Sequence, residues 1–322
     1  MEIKTQITNI NLAEAVKDGF SKSPKSISSM FLYDKEGDRL FQEIMKMPEY
    51  YLTRCEEEIF YRQKKTILEQ MKALKKPFNL LEFGAGDGSK TKILLQYLLE
   101  NGSDFTYYPV DISNNILEEL TASLRKEMPA LKVHPMNFEY FDAIREMAQL
   151  NNRRNITLFL GSNMGNFTRK QAVSFYQNFA RESKSGDFLF VGIDRRKNPQ
   201  IISEAYNDSQ GITAAFNLNL LRRINRELGA GFNLEAFSHY TFYEPVSGEV
   251  RSFLLSLKDQ QVHFEALEKQ FFFAKNELIH TEISKKYSPE EIDRLAEEAG
   301  YKVLQHFTDS RQYFLDSLWE IR

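Results

Sequence analysis

The part of this chain that most restricts its fold is residues 79–101, where an apolar run leads into three closely spaced glycines and then into a helical pattern. The apolar residues 80–83 predict a short buried strand. The glycines of the segment Gly-Ala-Gly-Asp-Gly at 84–88 predict a tight turn into the following helix. A strand, a glycine-rich turn and a helix in this order form one βα unit.

The same rhythm continues beyond this unit. Strands alternating with helices of 10 to 16 residues are typical of a parallel, doubly wound sheet with helices on both faces, so we expect a Rossmann-like α/β fold. Two C-terminal strands are expected to return to the edge of this sheet. The further predicted strands are 105–110, 131–135, 156–160, 188–193, 301–307 and 313–321.

The length of 322 residues predicts more than one lobe, because single cores stop growing at roughly 250 to 300 residues. The alternation breaks after residue 194, and short β-rich segments follow. We therefore predict an N-terminal helical segment (1–70) that contributes to a substrate lobe, and a Rossmann-like cofactor domain (71–194). An inserted α+β substrate lobe (195–286) and a C-terminal helix with strands that complete the sheet (287–322) follow.

Charge and cysteine content favour a small-molecule partner. Lys plus Arg is 42 and Asp plus Glu is 45, so the net charge of -3 provides no field to attract nucleic acid or an acidic membrane. The single Cys55 can form no internal disulfide, and no Cys cluster is available for a metal. Residues 1–5 lack the apolar core of a signal peptide. We expect a cytoplasmic monomer with no metal.

The glycine turn favours a nucleoside without phosphates. Its third glycine departs from the G-x-G-x-x-G spacing of dinucleotide sites, which makes pyrophosphate binding less favourable. Asp111 ends the next predicted strand, where an acidic residue typically accepts hydrogen bonds from ribose hydroxyls. S-adenosylmethionine is the commonest cofactor of this kind. The alternative is that the glycines only pack a helix on a strand and that Asp111 caps the helix beginning at Ser113.

Two neighbouring polar residues have similar alternatives. Glu82, just before the first glycine, is expected to face the turn or the cofactor's amino group, or else to be an edge carboxylate without a ligand. Asn137, after the third predicted strand, can contact an adenine amino group or simply form a turn.

Several longer segments carry a family resemblance. The chain resembles the histidine-specific, S-adenosylmethionine-dependent methyltransferases of ergothioneine biosynthesis (the EgtD family), which form Nα,Nα,Nα-trimethylhistidine (hercynine). The resemblance runs from about residue 24 to the C-terminus. Its most specific segments are LYDKEGDRLF (32–41), MPEYYLTR (47–54), LGSNMGN (160–166), GITAAFN (211–217) and TEIS (281–284).

This resemblance implies roles for individual residues. It implies cofactor contacts from Gly84, Lys90 and Asp111. The remaining candidate cofactor residues are Glu82, Gly86, Asn137, Phe138, Gly161 and Ser162. The candidate residues for binding the amino acid are Tyr33, Tyr50, Asn166, Tyr206, Phe216, Ser252, Glu282 and Ser284, of which Tyr33, Asn166 and Tyr206 are the catalytic candidates. The family has Asp where this chain has Asn137, and Met near Ser252.

These residue types suit an amino-acid acceptor beside a sulfonium cation. Asn166 and Tyr206 can hold a carboxylate with neutral donors, which avoids placing a second cation beside the sulfonium. Glu282 can accept from an imidazole N–H, and Ser284 can donate to or accept from the ring. Without the resemblance, Glu282 would be interpreted as a strand carboxylate paired with Lys285 or Lys286. Methyl transfer needs alignment rather than a covalent nucleophile, so no general base is assigned.

Two other functions remain open at this stage. The first is an N-methyltransferase of the same fold acting on another amino acid or on a tryptophan-derived amine. The second is a non-catalytic, nucleoside-binding regulatory protein.

Overall fold

The computed structural model describes residues 11–150 and 153–322, and residues 1–5, with the signal-peptide expectation, lie outside the described part. The chain forms two compact units. The acceptor unit contains the described residues up to Tyr50 and Asn198–Ser284, and the sheet unit contains Tyr51–Lys197 and Lys285–Arg322. The chain therefore passes from one unit to the other three times. Within the described residues, no helix has the length and apolarity to cross a membrane.

The elements follow in chain order. The helices are α1 (Leu12–Phe20), α2 (Lys35–Lys46), α3 (Leu52–Gln70), α4 (Thr91–Glu100), α5 (Asn114–Glu127), α6 (Tyr140–Leu150), α7 (Arg169–Glu182), α8 (Pro199–Tyr206), α9 (Ile212–Leu228) and α10 (Pro289–Glu298). The strands are β1 (Lys25–Ser26), β2 (Phe78–Phe83), β3 (Phe105–Val110), β4 (Arg154–Phe159), β5 (Phe188–Asp194), β6 (Phe237–Glu244), β7 (Glu249–Ser256), β8 (Gln260–Phe264), β9 (Lys269–Phe273), β10 (Leu278–Lys285), β11 (Tyr301–Thr308) and β12 (Phe314–Ile321).

The sheet unit is built on a six-stranded sheet in the order β11-β12-β5-β4-β2-β3. Strands β2, β3, β4 and β5 run parallel, and β12 pairs antiparallel with β5. Every residue of β2 and β5 is buried, as expected for central strands covered on both faces. The predicted Rossmann-like α/β class is confirmed.

The predicted strand at 131–135 is wrong in detail. This segment makes only isolated bridges to β3, at Tyr107↔Val133 and Val110↔Met136. The backbone ladder breaks at Pro109 of β3, which has no N–H to donate to the facing segment, whereas Tyr107 and Asp111 on either side of it do donate. The segment thus runs along β3 without becoming a regular strand.

Helix α3 lies in the sheet unit, whereas the segment 1–70 was assigned as a whole to the substrate lobe. Its buried face packs on the sheet, where Phe60 and Phe190 place their ring centroids 6.0 Å apart. The Gln63 side chain donates to the Thr308 carbonyl at 2.9 Å. The periodicity predicted a helix here, but it carries no information about which lobe the helix covers.

The acceptor unit contains a four-stranded sheet in the order β1-β10-β7-β6 and the hairpin β8-β9. Strands β6 and β7 pair antiparallel, with Thr241 opposite Ser252. An aromatic core surrounds Phe20, whose ring lies 5.3 to 6.1 Å from four other phenylalanine rings. This core supports the sheet that carries the candidate amino-acid residues.

Candidate active site

The glycine turn follows β2, as predicted, and presents an open surface. Gly84, Gly86 and Gly88 have φ values of 66°, 54° and 65°, a region that favours glycine. A Cβ on Gly84 would lie 3.1 Å from Asn163 Nδ2, whereas one on Gly86 would have no other atom within 4 Å. The backbone at Gly86 therefore faces open space that a ligand can approach.

Asp111 connects this turn to the start of α5. Its Oδ2 accepts from the Gly86 N–H at 3.4 Å, and its Oδ1 accepts from the Ser113 N–H at 3.0 Å. Burial raises the pKa of Asp111, although the backbone hydrogen bonds oppose this. The capping alternative is thus partly right, but the actual N-cap of α5 is Ser113. Because each carboxylate oxygen has two lone pairs, Asp111 can still accept from ribose hydroxyls.

Asn137 holds the same loop from its other side. Its Nδ2 donates to the Asp111 and Ile112 carbonyls, both at 3.0 Å. The turn-forming role is therefore present, and the atom suited to an adenine amino group is the acceptor Oδ1. The neighbouring Phe138 is 41% exposed, so part of it is accessible to a ligand.

Glu82 lies on β2, between β4 and β3, which corrects the alternative of an edge carboxylate. Its side chain is buried, with Thr91 Oγ1 donating to Oε1 at 2.6 Å and the Tyr107 hydroxyl donating to Oε2. Burial raises the pKa of Glu82 to about 7, although these two hydrogen bonds lower it in part. Glu82 supports the turn from beneath by fixing the first residue of α4 against β3.

Lys90 and Gly161 both donate hydrogen bonds to Glu56, a residue that the sequence analysis did not select. Lys90 donates to the fully buried carboxylate of Glu56 on α3, and the Gly161 N–H donates to the same carboxylate at 2.9 and 3.1 Å. Burial lowers the pKa of Lys90, but Glu56 outweighs this and raises it. In the sequence, Glu56 is followed by two more glutamates in a helix rich in charge, and such residues are usually solvated. The charge of Lys90 is thus balanced inside the protein.

The turn after β4 brings the other candidates of the sheet unit into place. Ser162 has a left-handed backbone (φ 61°), and its Oγ accepts from the Asp194 N–H at 3.0 Å. Asn166 is half-buried at the end of a 3-10 turn, Asn163–Asn166. Asn163 itself lies beside Gly84, although the sequence analysis did not select it. Two loops separated along the chain therefore meet at the glycine turn.

A buried ion cluster lies at the end of β5 and was also missed. Asp194 accepts from Lys197 at 2.5 Å, from Lys286 at 2.9 Å and from the Tyr51 hydroxyl at 2.9 Å. Burial alone would raise the pKa of Asp194, but the two lysines lower it. The three side chains that donate to Asp194 come from different parts of the chain. Tyr51, Lys197 and Lys286 each lie within two residues of one of the three boundaries between the units.

In the acceptor unit, Tyr206 and Ser284 form one pair. The Tyr206 hydroxyl and Ser284 Oγ lie 2.9 Å apart, and both side chains are buried. The Nε2 of His239 contacts the Tyr206 carbonyl at 3.2 Å, and burial lowers the pKa of His239, which favours the neutral ring that donates here. The sequence analysis placed these two hydroxyl groups at different ends of the ligand, whereas the structure couples them.

Tyr33, Tyr50 and Phe216 join one aromatic cluster around Phe41. The Tyr33 ring lies 5.6 Å from Phe41 and 5.5 Å from Phe216, and Phe41 lies 6.3 Å from Tyr50. These separations and steep interplanar angles are typical of favourable edge-to-face contacts. The structure therefore brings together three residues that the resemblance selected separately.

Ser252 and Glu282 lie on β7 and β10. Ser252 is 1% exposed, and its Oγ has no hydrogen-bond partner among the described residues. Its carbonyl accepts from Thr281 Oγ1 at 3.0 Å. Glu282 is half-buried, and Lys286, one of the lysines considered as its partner, ion-pairs with Asp194. A buried hydroxyl without a partner is the kind of group that a polar ligand satisfies.

These features define first a class and then a family. A parallel sheet with an open glycine turn after one strand and an acidic residue after the next is the arrangement of a Rossmann-like, S-adenosylmethionine-dependent methyltransferase. The chain belongs to the family of histidine-specific, S-adenosylmethionine-dependent methyltransferases, which it matches over residues 12–321. The resemblance found in the sequence, the enzyme class and the cofactor are confirmed.

Three relatives illustrate the range of this similarity. The chain is 31% identical over 298 residues to the histidine N-alpha-methyltransferase of Mycolicibacterium smegmatis, covering 92% of this chain and 91% of that protein. It is 30% identical over 329 residues to ergothioneine biosynthesis protein 1 of Neurospora crassa, covering 100% of this chain and 35% of that protein. It is 28% identical over 335 residues to the L-tryptophan methyltransferase of Psilocybe serbica, covering 96% of this chain and 92% of that protein.

Proposed function

We propose that this enzyme methylates the α-amino group of L-histidine, up to Nα,Nα,Nα-trimethylhistidine, as a step of ergothioneine biosynthesis. The relatives named for histidine and for ergothioneine support this acceptor. The observation that carries the proposal is the pairing of Tyr206 with Ser284. Glu282 lies two residues before Ser284 on the same strand and supplies a carboxylate suited to an imidazole N–H.

The residues of the sheet unit fit the cofactor. The open backbone at Gly86 and the spare lone pairs of Asp111 suit a nucleoside, and Asn137 Oδ1 and Phe138 suit its adenine. We assign Gly84, Lys90, Gly161 and Ser162 to the same site. S-adenosylmethionine supplies an electrophilic methyl group on a positively charged sulfur, and beside that charge an α-ammonium group loses its proton more readily.

The acceptor is assigned to neutral donors and one carboxylate. We assign the Tyr206 hydroxyl, 2.9 Å from Ser284 Oγ, to donate to the acceptor's carboxylate, a role that Asn166 shares. Glu282 accepts from the ring N–H. Tyr33 orients the acceptor, and Tyr50, Phe216 and Ser252 shape the space for its side chain.

Alignment is the main contribution of these residues to the rate. Displacement at a methyl carbon requires the amine and the departing sulfur to lie in line, and holding such a geometry can supply roughly 7 to 11 kcal/mol. Tyr33, Asn166 and Tyr206 hold the acceptor rather than form a bond to it. No covalent enzyme intermediate is needed.

Replacement of Glu282 tests the acceptor directly. Glu282→Ala should weaken histidine binding by about 1.5 to 3 kcal/mol, since a hydrogen bond to a charged group is lost, while S-adenosylhomocysteine binding stays unchanged. Titration calorimetry with each ligand measures both. Glu249→Ala, which removes an Arg251-paired carboxylate from β7, is the matched control. Unchanged histidine affinity in the Glu282 variant would remove this residue from the site.

Product analysis tests the reaction itself. Mass spectrometry of the enzyme with S-adenosylmethionine and histidine should show gains of one, two and three methyl groups. A panel of amino acids and tryptamine serves as the comparison, because one relative is named for tryptophan. Transfer to tryptophan but not to histidine would replace the acceptor, and transfer to none of them would contradict the proposal.

We also propose that the enzyme acts as a monomer in the cytoplasm. The buried free thiol of Cys55 accords with a reducing compartment. Light scattering should give the mass of one chain, 37.7 kDa. A mass of twice this value would contradict the monomer.

A further inference from the structure

Two buried carboxyl groups converge in the sheet unit behind Lys90. Asp316 on β12 lies opposite Gly192 on β5, and Glu56 reaches the same place from α3. A Cβ on Gly192 would lie 2.1 Å from Glu56 Oε1 and 3.2 Å from Asp316 Oδ1. Both acidic side chains have 0% exposure. The absence of a side chain at Gly192 is therefore what gives the two carboxyl groups room to meet.

The two groups differ in their partners. Glu56 accepts from Lys90 and from the Gly161 N–H, whereas neither oxygen of Asp316 receives a hydrogen bond from a donor among the described residues. A buried carboxylate without donors is strongly disfavoured. The group placed beside Asp316 at Gly192 is the carboxyl group of Glu56. Two carboxyl groups can hydrogen-bond only if one of them carries a proton, because an ionised carboxylate is an acceptor alone.

The charges around the pair show where this proton resides. Lys90 is the cation facing the pair, Glu57 on α3 and Glu82 on β2 add acidic groups nearby, and the facing strand residues Gly192 and Phe307 add no charge. Burial, together with Glu56, raises the pKa of Asp316 well above its usual range. Glu56 is the better carboxylate of the two, because Lys90 and Gly161 stabilise its charge.

We propose that Asp316 is protonated at neutral pH and donates its proton to Glu56, which makes Asp316 a positioning residue for Lys90 and for the Gly161 turn. The inference rests on the proposed assignment of Lys90 and Gly161 to the cofactor site. The hydrogen bond from Asp316 fixes the carboxylate of Glu56, and that carboxylate fixes the Lys90 ammonium group and the left-handed backbone of Gly161 (φ 71°).

Two substitutions of Asp316 separate the proton from simple packing. Asp316→Asn keeps a donor to Glu56, so S-adenosylhomocysteine affinity should stay within about 3-fold of wild type. Asp316→Ala removes the donor and should weaken this affinity roughly 3- to 30-fold, with a matching rise in KM for S-adenosylmethionine and little change in kcat at saturation. Glu69→Gln, an exposed glutamate on the same helix as Glu56, is the control and should match wild type.

The pH dependence supplies a readout that packing alone does not change. At alkaline pH the pair loses its proton, two negative charges repel beside one lysine, and wild-type affinity for S-adenosylhomocysteine should fall. Ionisation of the ligand affects every variant alike. The additional alkaline loss should therefore be present in wild type and Glu69→Gln and absent in Asp316→Asn.

Infrared difference spectroscopy observes the proton itself. The spectrum of wild type minus Asp316→Asn should contain a carboxylic acid C=O band at neutral pH, while any band from Glu82 cancels because it is common to both proteins. Absence of the band, or an Asp316→Asn variant as weak as Asp316→Ala, would overturn the proposal. Failure of Lys90→Ala to weaken S-adenosylhomocysteine binding would instead contradict the assigned cofactor site and leave the band unchanged.

Discussion

Substitution of Asp194 by asparagine should destabilise the sheet unit strongly. The single Asp194 carboxylate balances two lysines, and Asp194, Lys286 and the Tyr51 side chain are almost wholly buried. Asparagine preserves the shape but places a neutral amide, including an N–H₂ donor, against three donors. Both lysines then lose the counter-charge of Asp194 in a dry environment.

Two independent arguments give a similar value for the loss in free energy of unfolding that Asp194→Asn should cause. Removing one partner of a buried ion pair costs about 3 to 5 kcal/mol. Alternatively, a lysine that has lost its ion pair can release its proton. Each pH unit below an ordinary lysine pKa of about 10.4 makes this cost about 1.36 kcal/mol, so the cost at pH 7.5 is about 4 kcal/mol. The second route becomes easier at high pH, so at pH 9 the loss should shrink by about 2 kcal/mol.

Urea unfolding at both pH values measures this loss. The single tryptophan, Trp319, is buried on β12 beside β5, so its fluorescence reports on the sheet unit. Adding Lys286→Met to Asp194→Asn should recover part of the stability, because an ammonium group that has lost its ion pair with Asp194 is removed. A loss below about 1 kcal/mol, or a loss that is the same at pH 7.5 and pH 9, would refute this reasoning.

Two further predictions concern the supports of the cofactor turns. The pKa of Glu82 rises from 4.5 to about 7 on folding, so between these values only the folded state holds the proton and stability is lost as the pH rises. Glu82→Gln should abolish this loss, which is on the order of 3 kcal/mol. Urea unfolding at pH 4.5 and 8 measures it, and an equal fall in the free energy of unfolding in wild type and Glu82→Gln would contradict the prediction. Gly192→Ala places a methyl group 2.1 Å from Glu56 Oε1 and should lower the free energy of unfolding by about 1 to 3 kcal/mol and weaken S-adenosylhomocysteine binding. Gly231→Ala is the control, because its Cβ would meet no atom closer than 4.0 Å. Both variants are measured by calorimetry and by unfolding. Equal losses of stability and of affinity in the two variants would contradict a clash at Gly192.

Local patterns accounted for the parts of the fold that depend on neighbours in sequence. The bounds of β3 and β5 were predicted almost to the residue, because apolar runs and the glycines and polar residues that end them act over a few positions. The segment at 131–135 was predicted wrongly because its alternation is that of a strand, while Pro109 on the neighbouring strand β3 interrupts the ladder. Helix α3 was recognised, but not the unit to which it belongs.

The candidate site divides in the same way. The open glycine turn, Asp111 and the Tyr206–Ser284 pair involve residues that the sequence had selected. Glu82 was selected for a ligand contact, but the sequence did not indicate its hydrogen bonds with Thr91 and Tyr107. Glu56, Asp194 and Asp316 were not selected at all, because an acidic residue in a charged helix or at a strand end is usually solvated.

The sequence by itself determined the order of strands and helices, the glycine turn, the cofactor class and the family, since these follow from short-range patterns and from segments of specific sequence. Only the tertiary structure decided which charges are buried together. Glu56 and Gly161 are 105 residues apart in the chain, and Tyr51 and Asp194 are 143 apart. The ionisation state and the partner of a buried acid depend on such distant neighbours, and no local pattern encodes them.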